Sequence, residues 1–387
     1  MDKQIRIFAF TGVVALVAGV VAFALAVVVL WIWSPGKTSP ILDESGDVRA
    51  GSVAEIVDVP LGGLGQFVLI RGRDRSSPIL LLLHGGPGDP AAAQFLAYNA
   101  ALEDHFVVVH WDQRGAGASY SDRIPDETMT VDQLVSDTHE LTRYLMKRFD
   151  KEKIFLAGHS WGSYLGVRVV DRYPDDYYAF VGMGQVANQS ESEAHSYATV
   201  LERAKASGRR DAVRELEALG PPDRGRYAGG LAGLAKQRKW VREFGGAAYG
   251  RTNIPTLWML ARPLLGFREY RLKDKLNYIL GEDYSMSLLE EPLLDDDLTQ
   301  TAAELRVPIF FLQGRHDLQT VFETTRDYFE ALRAPRKEFI VFENAAHLVP
   351  FEEPEKFLRV MVDRVRPLAD LVPLVRRMRF AQPRRIS

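Results

Sequence analysis

The amino-acid sequence predicts an α/β protein in which a mostly parallel sheet carries helices on both faces. The first observation is a set of short, continuously apolar segments, the pattern of strands buried on both faces, which recur at residues 79–83, 106–111, 154–157, 178–183 and 308–312. The second is that segments of helical composition separate many of these runs, and strands that alternate with helices form parallel sheets. The third is a sharp glycine-rich turn that follows the run at 154–157.

Length and composition narrow the class of protein further. The chain has 387 residues, a formal net charge of −3 and 47% hydrophobic residues. This length allows two domains, or one large domain with an insertion. The near-balanced charge implies no general affinity for nucleic acid. There is no cysteine, which excludes disulfides, thiolate nucleophiles and cysteine-bound metals, and we expect neither a metal nor an organic cofactor.

The N-terminal segment has a composition of its own. Residues 7–33 carry no charge, and about 20 apolar residues suffice for a helix to cross a bilayer. Trp31 and Trp33 lie where an interfacial aromatic belt would be, and Lys3 and Arg6 outnumber Lys37. The sequence therefore predicts an uncleaved anchor over residues 1–36, an N-terminal transmembrane helix in contact with the lipid bilayer. It also predicts a single-pass membrane location, with the rest of the chain on the extracytoplasmic side.

The core elements follow in order after a polar linker over residues 34–51. Residues 54–59 and 66–71 predict a hairpin, and strands are expected at 79–83 and 106–111. Residues 91–103 and 131–149 have helical patterns. The strand at 154–157 precedes a buried helix from Ser163 to Tyr173, which Pro174 ends. A strand over residues 178–183 then completes the first part of the core, residues 37–187.

Residues 188–301 interrupt this alternation with helical segments that glycine and proline punctuate. We interpret them as a helical cap over the carboxyl edge of the sheet, where ligands bind in such folds. Most of its aromatic residues are expected to form the core of the cap itself. Strands at 308–312 and 339–342 then belong to the second part of the core, residues 302–370. The basic tail, residues 371–387, is expected to be disordered, and a contact with anionic lipid headgroups is weakly indicated.

The turn after the strand at 154–157 reads Gly158-His-Ser160-Trp-Gly162. Gly-x-Ser-x-Gly between a strand and a helix is the nucleophile elbow, in which side chains at the glycine positions would collide with neighbouring backbone. A serine hydroxyl needs a base within hydrogen-bond reach, and the base needs an acid. In this architecture the acid and then the histidine follow the serine along the chain, each at a strand end. Asp317 and His347 have those positions, so the predicted triad is Ser160, Asp317 and His347.

Other residues suit the same roles less well. His316 adjoins Asp317 but precedes the acid, and His159 lies within the elbow and cannot easily turn back on Ser160. The remaining candidates have the pattern of ordinary surface or core residues: Asp295, Asp296, Asp297, His105, His110, His139 and His195.

An oxyanion hole needs two preorganised donors. One is expected to be the backbone N–H of Trp161, directly after the nucleophile. The other comes from the loop His84-Gly85-Gly86-Pro87, and Gly86 is the favoured donor because Pro87 has no N–H. Two roles are open for the His84 side chain: a structural hydrogen bond that holds the loop, or a contact to the substrate. The structural role is favoured.

These motifs together resemble one known family. His84-Gly-Gly-Pro-Gly88, Trp111-Asp-Gln-Arg-Gly115, Gly158-His-Ser-Trp-Gly162, Gly314-Arg-His-Asp317 and His347 resemble the prolyl aminopeptidase (proline iminopeptidase) family of α/β-hydrolases. The resemblance implies an α/β-hydrolase fold, cleavage of an N-terminal residue from a small or short-peptide substrate, and the roles given above. Asp112 and Arg114 are interpreted as an ion pair that braces the loops.

Two departures from the family bear on the substrate. Ala118 stands where the family usually has arginine, and no tryptophan here is followed by the glutamate that in the family helps to hold the substrate amine. Glu191 and Glu193, at the start of the cap, are the predicted replacements, although both also suit the first turn of a helix. The sequence thus predicts a serine hydrolase of aminopeptidase type. The alternatives are a carboxylesterase for small esters and a hydrolase-like ligand receptor with little turnover.

Overall fold

The computed structural model describes residues 2–370, and within the first helix it describes the side chains of residues 16–25 and 27–32. In this part of the chain eight strands form one sheet in the order β1-β2-β4-β3-β5-β6-β7-β8. The strands are β1 Val53–Leu61, β2 Leu64–Gly72, β3 Ile79–Leu83, β4 Val107–Trp111, β5 Ile154–His159, β6 Tyr177–Met183, β7 Ile309–Gly314 and β8 Lys337–Phe342. β1 and β2 pair antiparallel, as do β2 and β4, and all other pairs are parallel.

Helices fill most of the connections between the strands. They are α1 Asp2–Ile32, α2 Ala92–Tyr98, α3 Val131–Phe149, α4 Trp161–Arg172, α5 Gln189–Ala206, α6 Arg210–Leu219, α7 Leu231–Glu243, α8 Asn253–Gly266, α9 Leu272–Asp295, α10 Leu298–Thr301, α11 Phe322–Ala331, α12 Val349–Glu352 and α13 Pro354–Val360. The predicted α/β class, the mostly parallel sheet and the hairpin at its edge are confirmed.

The core lies on both faces of the central strands. Successive side chains of a strand point to opposite faces, so Leu81 packs in one hydrophobic cluster with side chains of α3 and α4. Leu80 and Leu82 pack in another, with Phe95 of α2 and Phe357 of α13. Because both faces are covered, every residue of β3 is buried, which explains its uninterrupted apolar sequence.

Helices α5 to α10 lie between β6 and β7 along the chain. Tyr197, Tyr227 and Trp240 form a hydrophobic cluster within this segment. Phe267 and Tyr270, by contrast, pack with Leu69 of β2. This segment therefore has a core of its own and is also fixed to the sheet near the end of α8.

The prediction of an N-terminal membrane anchor requires correction. The chain forms a helix over Asp2–Ile32. Among the residues that the structure describes, however, no helix is long and apolar enough to cross a membrane. The predictions of a transmembrane helix, of a bilayer contact through it and of a single-pass location are therefore wrong.

The segment after α1 is bonded to the helical segment between β6 and β7. Pro35 forms an isolated β-bridge with Arg271, and the Lys37 N–H donates to the Arg268 carbonyl at 3.1 Å. The linker expected over residues 34–51 thus contacts the junction of α8 and α9. The basic tail and its predicted contact with lipid headgroups lie outside the described residues.

Candidate active site

The elbow after β5 holds Ser160 in a backbone conformation that few residues adopt, with φ 53° and ψ −121°. The Ser160 N–H donates to the Met183 carbonyl of β6 at 2.9 Å, so the turn is fixed to the neighbouring strand. A Cβ at Gly158 would lie 2.0 Å from the carbonyl oxygen of Gly162, and one at Gly162 would lie 2.2 Å from that of Leu83. Both positions therefore require glycine, for the steric reason expected from the motif.

The predicted acid and base lie together at the ends of β7 and β8. Nδ1 of His347 is 2.9 Å from Oδ2 of Asp317, and both side chains are buried. Asp317 also accepts hydrogen bonds from the Thr320 hydroxyl at 2.8 Å, from Gln313 Nε2 at 3.0 Å and from the Gln319 N–H at 2.8 Å. A carboxylate that accepts several hydrogen bonds is held in one orientation, so the imidazole keeps its Nδ1 side on Asp317. Within the described residues its Nε2 forms no hydrogen bond.

The loop after β3 lies beside the elbow. A Cβ at Gly85 would be 3.3 Å from Cβ of Ser160, and Gly86 and Trp161 both line the cavity that contains Ser160. Trp161 is the first residue of α4, and the N–H groups of a first helical turn have no partner within the helix. The two predicted oxyanion donors therefore lie on the same cavity as the serine.

His84 braces this loop. Its Nε2 accepts the Gln113 N–H at 3.0 Å, so Nδ1 carries the proton that is donated to the Gly85 carbonyl at 2.9 Å. Burial lowers the pKa of His84 to about 4, which keeps the ring neutral. The side chain of Gln113 donates to the His84 carbonyl at 3.1 Å and accepts from the Trp161 indole at 3.0 Å. Gln113 thus connects the loop to the elbow, a role that the sequence motif did not reveal.

A cavity of about 600 Å³ lies between the elbow and helices α5, α7, α8 and α9. Ser160 and His347 lie at one side of it, and leucine side chains of α8 (Leu257, Leu260 and Leu264) line another part. Its charged lining is predominantly acidic: the carboxylates are Asp89, Glu193, Glu282, Asp283 and Glu290, and the cations are Arg238 and Arg242. Such a cavity favours a substrate with an apolar part and a positive charge.

Two of these acids lie next to the loop that carries Gly86. Asp89 donates its backbone N–H to the Gly85 carbonyl at 3.1 Å, and its carboxylate accepts a hydrogen bond from Tyr278 of α9. A Cβ at Gly88 would lie 2.9 Å from Cα of Glu282, which places α9 against this loop. Burial raises the pKa of Asp89. Burial, with repulsion from Asp89 and Asp283, also raises the pKa of Glu282 to about 8.

The two acids singled out in the sequence occupy different surroundings. Glu191 is exposed in the first turn of α5, where its N–H is capped by Asn188, and it does not line the cavity. Glu193 is buried in the cavity wall, but its carboxylate forms an ion pair with Arg238, including a contact of 2.9 Å. Its charge is therefore already compensated. Sequence position alone could not separate these cases, because both acids lie near the start of the same helix.

Another prediction about the loops is corrected by the geometry. Arg114 does not pair with Asp112; its guanidinium binds the buried carboxylate of Asp137 on α3, with Nε 2.8 Å from Oδ2. Asp112 instead accepts hydrogen bonds from Tyr270 and from the Ala118 N–H, and burial raises its pKa to about 7. Arg114 and Asp112 therefore both stabilise the loop after β4, but each does so through a partner other than the one predicted.

Two of the remaining histidines lie close to the site. His159 donates from Nε2 to the His347 carbonyl at 2.9 Å, and burial lowers its pKa to about 3. It therefore acts on the backbone of His347 as a neutral donor. His316 stacks on Tyr249 with ring centroids 4.2 Å apart. Among the acids, Asp296 binds Arg168 and Tyr164, so it is an anchored side chain and not a freely solvated one.

This fold and this site define the class of protein. The chain belongs to the α/β hydrolase fold family, whose sequence model matches residues 78–354. It is 32% identical over 310 residues to YbaC, a probable aminopeptidase of Bacillus subtilis (strain 168). The matched region covers 80% of this chain and 96% of YbaC. It is also 25% identical over 303 residues to the proline iminopeptidase of Heyndrickxia coagulans. This match covers 78% of this chain and 95% of that protein. The resemblance to the prolyl aminopeptidase group is thereby confirmed.

Solved structures agree on the fold. A proline iminopeptidase of Mycobacterium smegmatis superposes with a TM-score of 0.57 at 20% identity, covering 83% of this chain and 100% of that chain. At this level of identity the likeness concerns the architecture alone.

Proposed function

We propose that this protein is a serine aminopeptidase that releases an N-terminal residue through an acyl-enzyme on Ser160. One observation supports the proposal above the others. Ser160, His347 and the acids Asp89 and Glu282 border one cavity, and His347 is paired with Asp317 behind it. A nucleophile with its base implies acyl transfer, and partly buried acids that form no contact ion pair among the described residues imply a positively charged group on the substrate.

In the acylation step, the Ser160 hydroxyl attacks the carbonyl carbon of the scissile amide. Nε2 of His347 takes the hydroxyl proton, because Nδ1 is engaged by Asp317. The N–H groups of Gly86 and Trp161 stabilise the oxyanion of the tetrahedral intermediate. His347 then returns the proton to the leaving nitrogen, the C–N bond breaks, and the shortened peptide leaves.

Deacylation repeats these steps with water as the nucleophile. His347 takes a proton from water, the hydroxide attacks the acyl carbon, and the proton returns to Ser160 as the C–O bond breaks. The free amino acid is then released.

The substrate amine is assigned to Asp89 and Glu282. An aminopeptidase must hold an ammonium group close to the scissile bond, and both acids adjoin the loop of Gly86. Desolvation disfavours the ionised form of these two carboxyl groups. A bound ammonium would offset this cost by pairing with the negative charge. Glu193 is the less favoured partner because Arg238 already neutralises it.

The test replaces the nucleophile and compares substrates. Ser160→Ala should lower turnover of an aminoacyl-arylamide on the order of 10⁶-fold, as in a comparable triad, and should abolish labelling by a fluorophosphonate. Ser287→Ala, at an exposed serine of α9, serves as the control and should behave as wild type. Unchanged activity or labelling in Ser160→Ala would exclude the proposed nucleophile.

The wild-type protein should also cleave free aminoacyl-arylamides better than their N-acetylated forms. Equal rates on both, together with rapid hydrolysis of short-chain aryl esters, would identify an esterase instead.

A further inference from the structure

One carboxylate from the helix that follows binds the loop of His347 on both sides of that residue. Glu352 is the last residue of α12. Its Oε2 accepts the N–H of Ala346 and the N–H of Leu348, each at 3.0 Å. These are the residues on either side of His347, so one oxygen atom fixes the backbone at both of its flanks.

The other oxygen of the same carboxylate binds the cap. Oε1 of Glu352 accepts the N–H of Tyr249, which lies in residues 244–252, the segment between α7 and α8. In this segment the Ala247 carbonyl accepts the His347 N–H at 3.1 Å, and the Gly246 carbonyl accepts the Leu318 N–H at 3.0 Å. The segment is therefore bonded to the loop of the base and to the loop of the acid.

Keeping this carboxylate in place is energetically demanding. Burial raises the pKa of Glu352 to about 7, against the opposite effect of the three N–H donors, and the charge of Asp317 raises it further. A partly buried acid with no ion pair among the described residues would be replaced at little loss if its only role were to fill space. Three backbone N–H groups converge on it, however, and each would be left without an acceptor if it were removed.

We propose that Glu352 is a positioning residue that sets the place of the His347 imidazole relative to Ser160. It acts through the backbone of residues 346–348 and ties residues 244–252 to the same loop. This inference rests on the proposed function, since it assumes that His347 is the base. It adds a residue outside the triad and the oxyanion loop, with no contact to the reacting atoms.

Glu352→Gln tests the role with little change in shape. The amide has one oxygen acceptor and an NH₂ group, so at least one of the three N–H donors must face another donor. A misplacement of about 1 Å can lower catalysis about 10²-fold, and we expect a loss of kcat on this scale with KM nearly unchanged. The rate constant for labelling of Ser160 by a fluorophosphonate should fall in parallel.

Glu353→Gln is the matched control. Glu353 is the next residue, and its carboxylate accepts one N–H of the same loop, that of Asn344, at 3.2 Å. Among the described residues its carboxylate accepts no hydrogen bond from Ala346 or Leu348. This variant should keep kcat, KM and the labelling rate close to the wild-type values.

Rates should be expressed per active site titrated with the fluorophosphonate, so that unfolded molecules do not contribute. If Glu352→Gln yields no folded protein, Glu352→Asp keeps the charge but shortens the reach, and its kcat should still fall. Wild-type kcat and labelling rate in the folded Glu352 variant, or an equal loss in Glu353→Gln, would overturn the inference. If the substrate comparison identifies an esterase, the same variants can be assayed on esters, because ester turnover uses the same base.

Discussion

At the scale of single residues, the acids of the cavity differ in whether a partner already compensates their charge. Glu193 is paired with Arg238, whereas Glu282 forms no direct ion pair or hydrogen bond among the described residues, and only the more distant charge of Arg242 lowers its pKa. The Asp89 carboxylate accepts the Tyr278 hydroxyl, a neutral donor. A partly buried acid whose charge is only partly compensated is unfavourable by itself and becomes favourable when a cation binds beside it. Glu282 is therefore the residue at which amine recognition can be tested most directly.

Glu282→Gln should lower kcat/KM for free aminoacyl-arylamides by about 2–4 kcal/mol, the scale for loss of a desolvated charge pair. N-acetylated substrates and neutral esters should be nearly unaffected. Glu191→Gln, at the exposed acid of α5, is the control and should match the wild type on every substrate. Equal losses on blocked and free substrates would contradict a role in binding the amine.

The pH dependence follows from the same residue. Burial raises the pKa of Glu282 to about 8, and an α-amino group loses its proton near about 7.7–8.0. The preference for free over N-acetylated substrates should therefore rise towards pH 8 and fall above it, and Glu282→Gln should flatten the rise.

Because the folded-state pKa is raised above 4.5, ionisation of Glu282 opposes folding above that pH. The variant should then be at least as stable as the wild type at pH 7.

At the scale of elements, α9 connects the cap to the loops around the site. Its Ser285 hydroxyl donates to the Gly115 carbonyl at 3.0 Å, and a Cβ at Gly281 would lie 2.7 Å from that same carbonyl oxygen. Tyr278 and Glu282 lie on the same helix and face the cavity. The close approach at Gly281 therefore sets how near these two side chains come to Asp89.

Gly281→Val should push α9 away from the loop after β4, because backbone atoms cannot yield as a flexible side chain can. Overpacking of this kind costs about 1–3 kcal/mol of stability. We expect kcat/KM for free-amine substrates to fall more than that for neutral esters, since the anchor for the amine moves and the triad does not. Gly266→Val, on α8 where no atom lies within 4 Å, is the control; equal activity of the two variants would refute the spacing role of Gly281.

At the scale of the whole molecule, one buried ion pair joins the edge hairpin, the loop after β4 and α3. Arg114 binds Asp137 through two contacts, at 2.8 and 3.1 Å. Asp137 also accepts hydrogen bonds from Gln66 and Gln133, both at 2.8 Å. Neither charge reaches solvent, since the side chains of the pair are 1% and 0% exposed.

Asp137→Asn should therefore lower the free energy of unfolding by about 3–5 kcal/mol, because it leaves a guanidinium buried without a counterion. Urea denaturation followed by tryptophan fluorescence would measure the change. Asp132→Asn removes the pair with Arg172 on the surface of α3 and α4, where the side chains are 80% and 51% exposed, and should cost about 0–1 kcal/mol. Similar losses of unfolding free energy in the two variants would show that the buried pair stabilises the protein no more than the surface pair does.

The sequence by itself determined the α/β class, the strands of the sheet and the candidate triad. Each of these depends on local patterns: uninterrupted apolar runs at buried strands, and glycines at 158 and 162 where a side chain would strike backbone. The order of serine, acid and histidine at strand ends then placed Asp317 and His347 at one edge, because carboxyl ends of parallel strands meet there.

Only the tertiary structure decided which side chains meet across long separations in the chain. Asp89 and Glu282 come together because α9 packs on the loop after β3, and nothing local to either residue indicates this. Arg114 binds Asp137 and not the nearer Asp112, because α3 brings a buried carboxylate to its guanidinium. Glu352 likewise gains its role from the cap segment that folds back onto it. Charge pairing and burial depend on distance in space, which a single sequence does not contain.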